Sequence, residues 1–330
     1  MKTNNPIISV PKKELPPALE KTLKQATRYE WITIAYLISV TTIMFITMQS
    51  SQAMKAAWLE DTLSLLPAVF FLVARKFYDR PPNSNFPFGY HRVFSIAFQL
   101  GAFALLALGL FLLYDSVVTL IKEERPTIGI VNLFGSDIWM GWVMIAALLW
   151  SAIPAMILGR KKMPLAEALH NKILFTDAHT QRADWQTAFA AIIGVIGVGF
   201  GLWWADAAAA CFISISIIQD GVARLKGAVL DLIDQVPTDL KNKEQHPVVA
   251  QVYAFFRQQP WVKDVRIRMR EAGEIFFTEV FVIPVQMTDI LNQTADAVNK
   301  VKKIDWKLHD VAIILVERFD DDQRRTGKNK

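Results

Sequence analysis

Long apolar stretches dominate the first two thirds of this 330-residue chain. A membrane-spanning helix needs about 20 mostly apolar residues. Six stretches approach or exceed that length: Trp31–Met48, Ala56–Phe77, Phe94–Ile121, Ile138–Leu158, Ile173–Trp204 and Ala207–Leu225. Runs of this length cross a bilayer as helices, because a helix satisfies its backbone hydrogen bonds internally. The sequence therefore predicts an all-α six-helix transmembrane bundle over residues 30–235.

Basic residues cluster beside alternate ends of these stretches. The N-terminal segment 1–29 and the connections after the second and fourth stretches hold most of them: Lys12, Lys13, Lys21, Lys24, Arg28, Arg75, Lys76, Arg80, Arg92, Arg160, Lys161 and Lys162. The positive-inside rule then predicts that both termini are cytoplasmic. This topology accounts for the net charge of +5, so no nucleic-acid partner is predicted. The single cysteine, Cys211, excludes an intrachain disulfide.

The composition changes near Val236 to that of a small soluble domain. Apolar residues recur at helical spacing from Val248 to Phe256, and Pro260 follows that helix. The later elements are two strands, a helix capped by Thr288 and a last strand: Val265–Met269, Ile275–Ile283, Thr288–Lys303 and Val311–Val316. The order α-β-β-α-β predicts a cytoplasmic two-layer α+β domain over residues 236–319. The charged tail 320–330 is predicted to be disordered.

Four acidic residues interrupt the apolar stretches. Glu60 and Asp61 lie in the second stretch, and Asp177 and Asp184 lie near the start of the fifth. Each ionisable side chain at the centre of a spanning helix costs about 2.5–3.5 kcal/mol on insertion scales. A bound cation, protons or both are the usual means of offsetting that cost. The alternative, that the acids mark helix ends at the water boundary, stays open for Asp61 and Asp177.

Helical periodicity groups these acids with other oxygen-bearing side chains. On the fifth stretch one face carries four of them: Asp177, Thr180, Gln181 and Asp184. On the second stretch Glu60 and Ser64 are one turn apart. If the two helices touch, three or four carboxylates and two hydroxyls surround a pocket. Such a set suits a divalent cation and favours harder ions such as Mn²⁺ or Fe²⁺.

Histidines near the fifth stretch admit two interpretations. His179 lies about 140° around the helix from Asp184, so it is either a packing residue or a ligand brought in by a helix bulge. Glu167 and His170 precede Asp177 at helical spacing, and they form either a polar access route for cations and protons or a solvated helix extension.

Three motifs resemble those of the cation diffusion facilitator family of divalent-metal/proton antiporters. The segment from Pro82 to Arg92 is similar to the family's cytoplasmic "HPFGHxR/K" loop, and the segment from Asp177 to Asp184 is similar to its "ADxxHxxxD" motif. The third match is Trp204-Ala205-Asp206-Ala207 at the start of the last stretch, with Leu232-Ile233-Asp234 at its end. The resemblance covers residues 30–320.

The family places two metal ligands one turn apart on each of the second and fifth spans. The matching positions here are Glu60 and Ser64 on the second span, and Thr180 and Asp184 on the fifth. Thr180 stands where zinc carriers have histidine, with His179 one residue away. The common Asp/Asp/His/Asp set is therefore half retained. The departure leaves Zn²⁺, Fe²⁺ and Mn²⁺ open as cargo and adds Asp61, Asp177 and His179 as supplementary candidates.

The resemblance also implies the protein's function, its oligomeric state and its location. It implies a membrane transporter and not an enzyme, without a cofactor, which exports a divalent transition-metal cation from the cytoplasm in exchange for protons. It implies a homodimer with a ferredoxin-like C-terminal domain in the bacterial cytoplasmic membrane. Arg92 and Asp234 are placed like the charged pair that locks the helix bundle. No strong regulatory metal site is expected in the C-terminal domain.

Two other functional classes remain as alternatives. The weakened ligand set is compatible with a transport-dead scaffold that acts through its cytoplasmic domain. Tyr114-Asp115 supplies half of an intramembrane aspartyl protease signature, although the companion Gly-x-Gly-Asp motif is absent from the sequence.

Overall fold

The computed structural model describes residues 16–78, 80–133, 135–240, 244–273 and 275–319. The chain divides into a helical unit, residues 17–81 and 92–230, and a second unit that contains residues 82–91 and 231 onwards. Residues 1–15 of the predicted N-terminal segment and the whole predicted tail 320–330 lie outside the described residues.

The helical unit consists of long helices and one short β-hairpin. In chain order its elements are α1 Pro17–Thr47, α2 Gln52–Leu63, α3 Leu65–Tyr78, α4 Arg92–Ile121, β1 Ile130–Leu133, β2 Ser136–Trp139, α5 Met140–Leu169, α6 Lys172–Gly199 and α7 Ala205–Leu232. Strands β1 and β2 pair antiparallel. The sequence analysis missed this hairpin and assigned Ile138 to a helix. The residue lies instead in β2, one residue before the strand ends at Trp139.

Five segments of the described chain are long and apolar enough to cross a membrane. They are Pro17–Thr47, Gln52–Val73, Ser95–Ile121, Met140–Leu169 and Ala205–Leu232. Large apolar side chains point outward from them, as at Leu100, Phe103 and Trp142, each 62% exposed. Such apolar surfaces suit contact with lipid tails, because exposing apolar side chains to water is unfavourable. The prediction of a helical membrane domain is confirmed, while α6, the fifth predicted span, is not among the five.

The second predicted span is broken at Ser64. The sequence analysis expected one helix from Ala56 to Phe77, whereas α2 ends at Leu63 and α3 begins at Leu65. Pro67 supplies the physical reason, because proline lacks the backbone N–H that would bond the Leu63 carbonyl and its ring clashes with that carbonyl. The break places a proposed ligand, Ser64, between two helices instead of within one.

Helix α6 lies in contact with most of the bundle. It packs against α5, α2 and α3, and α1 packs against α5, α3 and α2. Glycines on α6 allow close approach of α7: a Cβ added at Gly194 would lie 2.8 Å from the Ala209 Cβ, and one at Gly197 would lie 2.4 Å from the Ala205 Cβ. The two glycines therefore let α6 pack closely against α7.

The second unit contains a small sheet with two helices. Its elements are α8 Pro247–Arg257, β3 Val262–Ala272, β4 Ile275–Pro284, α9 Ile290–Val301 and β5 Leu308–Leu315. Strand β4 is central and pairs antiparallel with β3 and parallel with β5. The predicted α-β-β-α-β order is confirmed. The predicted cap of α9 was wrong, because Asp289, not Thr288, occupies the N-cap position and makes no capping hydrogen bond with its side chain.

The loop at residues 82–91 belongs to this second unit. The Phe88 ring lies edge-on to Phe277 of β4, with 5.7 Å between ring centroids. The His91 ring lies at the same distance from His309 of β5. The motif that resembles the family's cytoplasmic loop is therefore packed on the C-terminal sheet by two ring contacts.

Candidate functional site

Glu60 and Asp61 lie in the last turn of α2 and face different neighbours. The Asp61 carboxylate is buried and accepts a hydrogen bond of 2.7 Å from the Ser151 hydroxyl of α5. Glu60 is half-buried, and its carboxylate interacts with Thr187 of α6. The two acids therefore connect the end of α2 to both α5 and α6.

Asp184 is buried on α6 and has an unused acceptor. Its Oδ2 atom has no hydrogen-bond partner within the described chain. The carboxylate lies within electrostatic range of Glu60 and Asp61, and α2 packs against α6. The structure thus brings Glu60, Asp61 and Asp184 into one region of the bundle. Among the residues that the structure describes, no three His, Cys, Asp or Glu side chains lie close enough to hold a single ion.

Ser64 and Thr180 carry the two hydroxyls of the proposed set, and each residue makes a hydrogen bond to a carbonyl one turn earlier in the chain. Ser64 is buried at the helix break, and its N–H donates to the Glu60 carbonyl at 2.9 Å. The Thr180 hydroxyl donates to the Thr176 carbonyl at 3.0 Å and accepts a hydrogen bond from the Arg224 guanidinium. Ser64 thus follows Glu60 by one turn, and Thr180 precedes Asp184 by one turn of α6.

Asp177 takes part in a buried ionic network. Its carboxylate contacts the Lys162 ammonium of α5 and accepts a hydrogen bond of 3.2 Å from the Gln181 amide. Lys162 also lies 3.2 Å from an oxygen of Glu30 on α1, and all three charged side chains are almost fully buried. The sequence analysis counted Lys162 as a loop cation, and that interpretation was wrong: α5 continues to Leu169, which places Lys162 inside the bundle.

The expectation that Glu167 and His170 continue one helix with Asp177 was wrong, while a polar access route through them stays a prediction. Helix α5 carries Glu167, and His170 caps it in the left-handed conformation, with φ 45° and ψ 46°. Asn171 then caps α6, since its side-chain oxygen accepts from the Leu174 N–H at 2.8 Å. Glu167 and His170 therefore do not share the α6 face that carries Asp177 and Asp184.

His179 lies on the exposed side of α6. The imidazole packs near the Phe175 ring, with 6.3 Å between centroids. Its neighbour Thr180 is half-buried. The local helix is regular here, so the bulge that would bring His179 beside Asp184 does not occur.

The members of the predicted charge lock occupy element ends. Arg92 is the first residue of α4, and Asp234 follows α7 in the left-handed region with φ 62°. The Asp234 carboxylate accepts a hydrogen bond of 3.1 Å from Arg270 of β3. A lock between Arg92 and Asp234 stays a prediction.

Several side chains beside these acids were not predicted from the sequence. Tyr36 of α1 donates its hydroxyl to the Trp150 carbonyl at 3.1 Å and lies within electrostatic range of Asp61 and Asp184. The others are Ser151, Thr187 and Arg224. No sequence motif marks them: Tyr36, Ser151 and Arg224 reach the acids through packing of helices distant in sequence. Thr187 lies one turn after Asp184 on α6 and interacts with Glu60 of α2.

Residues 31–233, more than half of the chain, match the family described as the cation efflux transmembrane domain. The chain belongs to the cation efflux family. The predicted resemblance to cation diffusion facilitators is thereby confirmed, and so is the prediction that the protein is not an enzyme, because the family consists of transporters. The intramembrane protease alternative loses its basis, and its one residue, Asp115, forms an ion pair of 2.6 Å with Lys55.

Two curated relatives align with this cation efflux protein. The chain is 22% identical to the manganese efflux system protein MneS of Bacillus subtilis over 169 residues. This aligned stretch is 51% of this chain and 54% of the relative. It is 19% identical to the uncharacterized transporter MJ0449 of Methanocaldococcus jannaschii over 167 residues. That aligned stretch is 47% of this chain and 50% of the relative. The chain thus spans about half the length of the curated relatives it matches.

Proposed function

We propose that this protein exports a divalent transition-metal cation from the cytoplasm in exchange for protons. The observation that carries the proposal is the buried Asp184 carboxylate, whose Oδ2 lacks a hydrogen-bond partner in the described chain and whose charge lies near those of Glu60 and Asp61. Buried polar groups are normally paired, so an unpaired carboxylate oxygen among other acids is a natural place for a cation.

Glu60 and Asp184 are the principal ligands in this proposal. Ser64 and Thr180 add hydroxyl oxygens, and Asp61 supplements them from the next position on α2. Asp177 and His179 are left out of the set, because Lys162 already neutralises the first and the second is exposed. A set of oxygen donors favours Mn²⁺ over Zn²⁺. The name of the Bacillus subtilis relative, a manganese efflux system protein, supports Mn²⁺ as the first ion to test, with Fe²⁺ and Zn²⁺ next.

Metal ions and protons compete for the same carboxylate oxygens, and this competition couples cation export to proton entry. Carboxylates must lose their protons to bind a metal ion, so each ion that leaves allows protons to return. We propose alternating access: the ion reaches Glu60 and Asp184 from the cytoplasm, and the bundle then opens to the far side. Six spans with α6 as the fifth, cytoplasmic termini, a ferredoxin-like C-terminal domain, a homodimer and a location in the bacterial cytoplasmic membrane belong to the same proposal.

Flux through purified protein in liposomes tests the proposal. Under an imposed pH gradient, we expect Mn²⁺-dependent proton movement by the wild type and its loss, by at least about tenfold, in Asp184→Asn and Glu60→Gln, since each substitution removes a charged ligand. Glu124→Gln, an exposed carboxylate after α4, is the matched control and should retain wild-type flux.

The transport-dead scaffold is favoured by one observation, that no three metal-binding side chains of the described residues lie close enough for one ion. Absence of flux by the wild type with Mn²⁺, Fe²⁺, Zn²⁺, Co²⁺ and Ni²⁺ would support the scaffold and contradict transport.

A further inference from the structure

Arg224 is a permanent cation beside the acidic site. It lies on α7, and its guanidinium donates to the Thr180 hydroxyl of α6. Asp220, one turn earlier on α7, lies 3.7 Å from the guanidinium and is 58% exposed, whereas the Arg224 side chain is only 17% exposed. The arginine is therefore directed into the bundle, while Asp220 is more exposed but still acts electrostatically on Glu60.

The position of Arg224 along α7 matches that of Thr180 along α6. Thr180 lies eight residues after the first residue of α6, Lys172, and Arg224 lies eight residues before the last residue of α7, Leu232. At 1.5 Å per residue both lie about 12 Å from the ends of their helices. The contact between them is thus well inside the helical unit, at the level of the proposed cargo site.

The charge of Arg224 acts on both principal ligands. Glu60 and Asp184 each lie within electrostatic range of the guanidinium. When ionised, Glu60, Asp61 and Asp184 carry three negative charges, Asp220 adds a further charge that acts on Glu60, and Arg224 offsets one of these. Arginine keeps its charge at every relevant pH, so this contribution does not depend on protonation.

We propose that Arg224 is a positioning and specificity-determining residue for the cargo. This role rests on the proposed function. In the metal-free protein the guanidinium partly neutralises the acids and holds the Thr180 hydroxyl. In the metal-bound protein it repels the cation and so limits how tightly the site retains it. Release then needs less free energy than it would from an uncompensated cluster of carboxylates.

Arg224 borders a small cavity. The cavity has a volume of about 30 Å³, and its other walls are apolar side chains and glycine, among them Leu63, Phe98, Gly101 and Ile173. A volume of this size holds about one water molecule.

Two substitutions separate this role from a structural one. Arg224→Gln removes the charge and keeps hydrogen-bonding capacity, and Arg224→Lys keeps the charge without the planar fork. Lys226→Gln, which removes an exposed charge from the same helix, is the matched control. Arg224→Met is a second uncharged variant for use if the glutamine variant does not give a monodisperse protein.

The readouts are Mn²⁺ affinity by titration calorimetry on the full-length protein in detergent and the separate KM and kcat of Mn²⁺ flux in liposomes. We expect Arg224→Gln to bind Mn²⁺ at least about tenfold more tightly, with KM and kcat both reduced, because removing a like charge stabilises the bound ion and slows its release. Arg224→Lys should return the dissociation constant to within about threefold of wild type, and Lys226→Gln should leave it unchanged.

If Arg224 only held α6 and α7 together, the opposite pattern would result. Arg224→Gln would then bind Mn²⁺ as tightly as the wild type or more weakly, and Arg224→Lys would not restore the wild-type values. That result, with Mn²⁺ bound by the wild type, would overturn the role of Arg224 alone. A wild-type protein that binds none of Mn²⁺, Fe²⁺ and Zn²⁺ would overturn both this role and the proposed function.

Discussion

Buried carboxylates of the helical unit differ in the partners that satisfy them. Asp206, at the start of α7, accepts from the Ser51 hydroxyl at 2.6 Å and from the backbone N–H of Gln52 at 2.5 Å, and so fixes the start of α2. Asp61 accepts from Ser151. Asp184 has a fully buried oxygen, Oδ2, without a hydrogen-bond partner in the described chain. At the residue scale, this oxygen distinguishes Asp184 from Asp61 and Asp206, whose carboxylates accept hydrogen bonds from residues outside their own helices.

Ser151→Ala tests the structural part of that distinction. The substitution leaves a buried Asp61 oxygen without its donor, which costs about 1–3 kcal/mol. We expect a lower thermal midpoint for the detergent-solubilised protein. Ser214→Ala is the matched control, because Ser214 is equally buried but bonds only to the Ala210 carbonyl of its own helix. Equal midpoints for the two variants would contradict the assigned role of Ser151.

At the element scale, buried ionic contacts link helices of the helical unit to one another. Helices α1, α5 and α6 converge on Lys162, which contacts Glu30 and Asp177. A buried ion pair adds little net stability compared with apolar side chains, but removing one partner leaves an uncompensated charge. The network therefore holds the three helices in one arrangement, and Gly194 and Gly197 hold α6 close to α7.

Lys162→Met should destabilise the protein by about 3–5 kcal/mol, because two buried carboxylates lose their counter-ion. The triple variant Glu30→Gln/Lys162→Met/Asp177→Asn should recover most of that loss, since no charge remains unpaired. Thermal unfolding in detergent measures both, and Lys161→Met, an exposed neighbour on α5, is the control. A triple variant as unstable as Lys162→Met would show that side-chain packing, not charge pairing, accounts for the effect.

At the scale of the whole molecule, the sequence predicted which helices and strands form better than it predicted which side chains touch. Apolar length predicted the helical membrane domain and periodicity predicted the α-β-β-α-β order, because both signals are local. The burial of Lys162 and the approach of Arg224 to Thr180 depend on contacts between helices distant in sequence, so no local pattern indicates them. Two missed boundaries did have local signals: Asn171 is a typical N-cap for α6, and Pro67 accounts for the break at Ser64.

In the proposed function, Glu60 and Asp184 bind one divalent ion between α2 and α6. An anomalous-difference map from crystals soaked in Mn²⁺ tests this binding. We expect one strong peak per chain within bonding distance of a Glu60 oxygen and of Asp184 Oδ2, and its loss in Asp184→Asn crystals. A map in which these two carboxylates point apart with no peak between them, or in which the Mn²⁺ peak lies only at Glu30 and Asp177, would contradict it.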